Sequence, residues 1–95
     1  VRISPEIAVF LKETIVASHP EAEVYLFGSR KDDTARGGDI DILILTNALM
    51  TFDEMSKIRI QFMKNFGEQK LDLVNFTFSE DKPFKRVALE EAVKL

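Results

Sequence analysis

Val24-Tyr25-Leu26-Phe27-Gly28-Ser29-Arg30, then a polar stretch, then Gly38-Asp39-Ile40-Asp41-Ile42-Leu43-Ile44-Leu45 is the segment whose reading decides the fold. The run ending at Phe27 alternates like a half-buried strand, with Val24 and Leu26 on one face and Tyr25 and Phe27 on the other. Gly28-Ser29 breaks it. Glycine lets an anion approach the backbone, and serine suits the start of a helix whose free N–H groups face a phosphate. The second run, from Ile40 to Leu45, ends in an unbroken Ile-Leu-Ile-Leu, which predicts a central strand covered on both faces. Asp39 and Asp41, at i and i+2, point to one face with Cα atoms about 6.6 Å apart at strand rise. Their carboxylates are close enough to hold hard cations through oxygen, and without a cation they repel each other.

On the N-terminal side, Ser4-Pro5 opens a helix expected to run to Ser18, with Ile7, Phe10, Leu11, Thr14 and Ala17 or Ser18 as its apolar stripe. His19-Pro20 ends it, and the single histidine is expected at the surface of a turn. The spacer holds Gly37-Gly38, which let the chain swing back into the sheet. On the C-terminal side, Thr51-Phe52-Asp53-Glu54 matches a capping box. It opens a helix with Met55, Ile58, Phe62 and Phe66 inward, widened by Ile60 and Met63, and stopped at Gly67. Leu71 to Phe78 reads as a third strand in which Asp72 shares a face with Val74 and Phe76. A carboxylate among such neighbours calls for a cation or a donor. From Pro83 a last helix is expected, with Phe84, Val87, Ala88, Ala92 and Leu95 on its apolar side. These elements predict one α/β (α+β) domain over residues 1–95, a small mixed sheet flanked by helices.

Taken together, Phe27-Gly28-Ser29, a spacer, Asp39-Ile40-Asp41-Ile42 and the later strand-borne Asp72 resemble the signature of the DNA polymerase β-like nucleotidyltransferase superfamily. Gly38 departs from the pattern, since many relatives carry serine there. The short chain is similar to the minimal nucleotidyltransferases, the MNT-type partners of HEPN-domain toxins. This resemblance implies a nucleotidyltransferase fold and a two-metal site. Asp39, Asp41 and Asp72 would be its catalytic residues and metal ligands, the cofactor two Mg²⁺ ions, and the substrate ATP. It further implies nucleotide binding by Gly28, Ser29 and Arg30, and an antitoxin that transfers AMP to a hydroxyl, a tyrosine, of its HEPN toxin. The alternative under the same resemblance is an antitoxin that inhibits its HEPN partner by contact alone. Adenylylation of a small aminoglycoside-like molecule fits the motif less well, because 95 residues leave no second domain to close a substrate pocket.

Composition narrows the field further. The chain has no cysteine, so it has neither a disulfide framework nor a thiolate metal site. A net charge of −3 argues against extensive nucleic-acid binding, which needs a basic face. Arg30, Lys31 and Arg36 in the spacer are candidates for a local rim that meets a nucleoside triphosphate. The apolar runs are too short to cross a bilayer and no basic-apolar leader is read, so the expectation is a cytoplasmic protein. The resemblance to partners of HEPN-domain toxins adds a hetero-oligomer as one expected state.

Overall fold

A computed structural model describes residues 3–28, 39–67 and 69–95. Its elements run α1 (Pro5–Ser18), β1 (Glu23–Phe27), β2 (Ile40–Thr46), α2 (Phe52–Phe66), β3 (Leu71–Thr77), α3 (Pro83–Glu90) and β4 (Val93–Lys94). The sheet order is β3-β2-β1-β4. β1 pairs antiparallel with both β2 and β4, whereas β2 and β3 are parallel, with α2 as the crossover that parallel neighbours require. This is the mixed α/β sheet expected of a nucleotidyltransferase fold.

The strands sort their side chains by alternation. Val24 and Leu26 of β1, Ile40, Ile42 and Ile44 of β2, and Leu71 and Leu73 of β3 face α1 and α2, where they meet Ile7, Leu11, Ile15, Ile58 and Phe62. Leu43 and Leu45 face the other way with Tyr25, Phe27, Val74 and Phe76, under Ala88 and Leu89 of α3. β2 is thus covered on both sides, as its unbroken apolar run predicts.

Local chemistry sets the ends of the helices. The Ser4 hydroxyl accepts from the Ile7 N–H at the start of α1. At α2 both halves of the capping box form: Thr51 Oγ1 accepts from the Glu54 N–H, and Glu54 Oε1 accepts from the Thr51 N–H. His19 is more than a turn residue. Its side chain is only 17% exposed, and its Nε2 lies 2.8 Å from Glu54 Oε2, so it ties the end of α1 to the start of α2. A polar knot closes the far end of β2. Asn75 donates to the Ile44 carbonyl and the Thr46 hydroxyl and accepts from the Met50 N–H. Beside it, the buried Lys85 ammonium donates to the carbonyls of Thr77, Phe78 and Glu80, which satisfies a charge that burial would otherwise penalise.

Three expectations change. In α1 the buried stripe is Ile7, Leu11 and Ile15, and Ala17 and Ser18 are exposed, because the helix meets the sheet along the i, i+4, i+8 line. In α2, Ile60 and Met63 do not widen the core. They are 47% and 55% exposed, since the helix presents only the narrow face centred on Ile58 and Phe62. The tail does not stay helical to Leu95. α3 stops at Glu90, and Val93–Lys94 pairs with β1, with the Leu95 N–H reaching the Val24 carbonyl, because the β1 edge offers unmade backbone hydrogen bonds.

The burial pattern sets the expected cost of substitutions. Phe62→Ala should destabilise the chain by about 3–5 kcal/mol, the usual range for emptying a core aromatic position. Ile60→Ser should stay within about 0.5 kcal/mol of the parent. Urea unfolding followed by circular dichroism measures both. A pH series adds an independent check. Glu54 is held below the ordinary glutamate value of 4.5 chiefly by the Thr51 N–H and then by His19, and Glu21 chiefly by the Asn47 N–H. A carboxylate with a depressed folded pKa stabilises above its unfolded value, and that stabilisation is lost as pH falls through the folded one. The melting temperature should therefore fall on acidification below about 4.5, and the gap between the parent and Glu54→Gln should narrow over the same window.

Candidate nucleotidyl-transfer site

The site candidates lie where β1 ends and β2 and β3 begin. Phe27 pairs with Asp41 across the antiparallel ladder, and Asp41 pairs with Asp72 across the parallel one. One row of the sheet therefore reads Phe27, Asp41, Asp72. Register partners share a face, so both carboxylates project on the side carrying Leu43, Val74 and Phe76, at the end of the sheet where β2 and β3 begin. Adjacent strands lie about 4.8 Å apart, which brings the two acidic groups within reach of a common ion. Asp39 precedes β2 and has the same parity as Asp41. Its carboxylate is 46% exposed and lies 3.6 Å from the Lys70 ammonium.

Gly28 closes this corner. It has φ +89, in the region that favours glycine. A Cβ built there would lie 2.5 Å from Asp41 Oδ2 and 3.1 Å from its Cγ. By its place in the sequence this glycine is expected to admit phosphate. The structure adds a second task, because the missing side chain is the space that the Asp41 carboxylate occupies. Gly28 and Asp41 are thus one packing unit, and the turn out of β1 fixes where the carboxylate stands.

Asp41, Asp72 and Gly28 come together, and Asp39 stands one step out. Ser29 and Arg30, like Lys31, Arg36 and Gly37-Gly38, lie outside the described residues. Among the described residues, no three His, Cys, Asp or Glu side chains are grouped tightly enough to hold a metal ion by themselves. The all-oxygen donor set nevertheless suits a hard divalent cation, and the side-chain-free Gly28 leaves room for the carboxylate that would bind it.

Two neighbours enter the site, Lys70, which the sequence does not mark, and Phe84, expected only on the apolar side of the last helix. Lys70 gave no signal beyond lying two residues before Asp72. Phe84, 52% exposed on α3, meets Phe27 edge-on at 5.8 Å and Phe76 at 6.2 Å, so the aromatic layer reaches the row of the acids through Phe27. Tyr25 lies on the same face, but its phenol donates to Glu23 at 2.7 Å and its pKa is pushed up to about 12, chiefly by that hydrogen bond. It remains a neutral donor and offers no base near neutral pH.

With this geometry, a mixed sheet carrying acids at the start of two parallel strands beside a glycine turn, the chain has the form of a nucleotide-transferring α/β domain. The family model described as "Polymerase beta, Nucleotidyltransferase" matches residues 7–95. The chain belongs to this nucleotidyltransferase family, and nucleotidyl transfer is the general chemistry that membership implies. No curated protein matches it. The superfamily uses nucleoside triphosphates and divalent metal ions.

The contact between Gly28 and Asp41 can be tested without any ligand. Gly28→Ala should lose at least about 1–2 kcal/mol, from positive φ and from the clash with Asp41. Adding Asp41→Ala should recover the part due to the clash, so a double-mutant cycle read by urea unfolding should give a favourable coupling of about 0.5–3 kcal/mol. Strictly additive effects would show that the two residues do not share this space.

Proposed function

We propose that this chain is an MNT-type antitoxin that, with Mg²⁺, transfers AMP from ATP to a tyrosine hydroxyl of a cognate HEPN-domain toxin and so silences it. The observation that supports the reading best is the row Phe27–Asp41–Asp72, with Gly28 packed on Asp41 and Asp39 beside it. Family membership supplies the general reaction, and the motif resemblance supplies the toxin partner.

Asp39, Asp41 and Asp72 would hold the metal ions. When bound, the ions stabilise charge on the phosphates and lower the pKa of the attacking hydroxyl. Gly28, Ser29 and Arg30 would receive the β- and γ-phosphates. The acceptor oxygen forms a bond to the α-phosphorus as the bond from that phosphorus to the bridging oxygen breaks. Pyrophosphate leaves, and Asp72 takes the hydroxyl proton. Asp72 suits this step because it is half-buried on a paired strand, which holds its carboxylate in place.

One observation favours a second reading, a non-catalytic antitoxin that blocks its HEPN partner by contact. It is that the described acidic side chains do not form a closed metal cage of three. Both readings meet in one experiment with the Asp39→Asn, Asp41→Asn double variant. The expected result is loss of covalent labelling of the HEPN partner from ATP, seen by mass spectrometry, while complex formation persists and toxin neutralisation in cells disappears. A double variant that still neutralises the toxin at normal expression would replace the enzymatic reading with contact inhibition.

A further inference from the structure

We infer that Lys70 is a built-in counter-ion of this site: its ammonium holds the Asp39 carboxylate while no divalent ion is bound, and turns to the triphosphate when a metal–nucleotide arrives. The inference rests on reading Asp39 as a metal ligand. Its structural basis is the continuation of the β2–β3 register by one residue. Ile40 pairs with Leu71 and Asp41 with Asp72, and the Ile40 N–H donates to the Lys70 carbonyl. Asp39 and Lys70 therefore face each other one row outward from the Asp41–Asp72 pair. Alternation gives Lys70 the parity of Asp72 and Asp39 that of Asp41, so the cation stands on the acid-bearing face.

The pair is made for exchange. At 3.6 Å between Nζ and Oδ2, with the two side chains 65% and 46% exposed, it is an ionic contact in water, weak enough for a divalent cation to displace. The lysine stem is flexible and its ammonium is a compact point charge, which lets it leave one oxygen anion for another nearby. A nucleoside triphosphate laid against Gly28 and the acids would bring several such oxygens to this corner. Lys70 thus opposes binding of metal alone and favours binding of metal with nucleotide. This couples occupancy of the site to its substrate.

The experiment measures Mn²⁺ binding to the intact chain without nucleotide, then ATP binding in the presence of Mg²⁺, for the parent, Lys70→Met and Lys70→Arg. Removing a unit positive charge beside the site should tighten Mn²⁺ binding by Lys70→Met about three- to tenfold at low salt, and the difference should shrink at high salt. The same variant should bind ATP about three- to tenfold more weakly, and Lys70→Arg should follow the parent in the Mn²⁺ measurement. Unchanged or weaker Mn²⁺ binding by Lys70→Met would overturn the inference and make the pair an ordinary surface contact. Tighter Mn²⁺ binding with unchanged ATP affinity would overturn the transfer to phosphate. Asp39→Asn separates the two levels of argument: if it binds Mn²⁺ as the parent does, the reading of Asp39 as a ligand fails, whatever Lys70 does.

Discussion

β2 lies between two strands and under helices on both faces, and Ile40, Ile42, Leu43 and Ile44 are fully buried. A slip of one residue would turn Ile40, Ile42 and Ile44 toward α3 and push Asp39 and Asp41 into the layer under α1 and α2. A carboxylate driven there would lose its hydration among Ile15, Phe62 and Leu11, at a cost no apolar contact could offset. The hydrophobic register of one strand therefore fixes the site. Because β3 is bound to β2 in a single parallel register, the same constraint sets Asp72 beside Asp41.

Much of this was legible in the sequence, since period-2 alternation and caps are local signals. Alternation marks the strands ending at Phe27 and running from Leu71 to Phe78, the unbroken apolar run marks Ile40–Leu45, and Thr51 with Glu54 marks the start of α2. The motif resemblance implies that Asp41 and Asp72 converge, but their common row is not local information, because parallel register depends on how the intervening α2 crosses. β4 was unreadable for a related reason. Two exposed residues carry no periodic signal, and Val93–Lys94 becomes a strand only because β1 presents an edge to them. Lys70 was equally silent, as a lysine before a strand is ordinary until the register sets it opposite Asp39. The roles assigned to Ser29 and Arg30 depend on the spacer, which lies outside the described residues.

Gly28 shows how one residue can serve structure and chemistry through the same absence. Its positive φ turns the chain out of β1, and its missing Cβ admits the Asp41 carboxylate. A larger residue would be excluded by Asp41 before any phosphate arrived. A site preference for glycine at this position therefore does not by itself report on nucleotide binding. The aspartate and the turn must be varied together before an effect on ligand affinity can be assigned to the phosphate.

The acids fall into two mechanical classes. Asp41 and Asp72 sit within paired strands, so their Cα positions are fixed by ladder hydrogen bonds and by the buried rows on either side. Asp39 stands before β2, and its ion pair with Lys70 is weak and exposed. A carboxylate on a fixed strand loses little freedom when it binds an ion, whereas one outside the ladder must be ordered at the moment of binding. If the three acids act together, the sheet contributes a prearranged pair, and the third ligand is recruited against its lysine only when the incoming group carries enough charge to satisfy both. The fold fixes the part of the site that must be accurate and leaves adjustable the part that must respond to substrate.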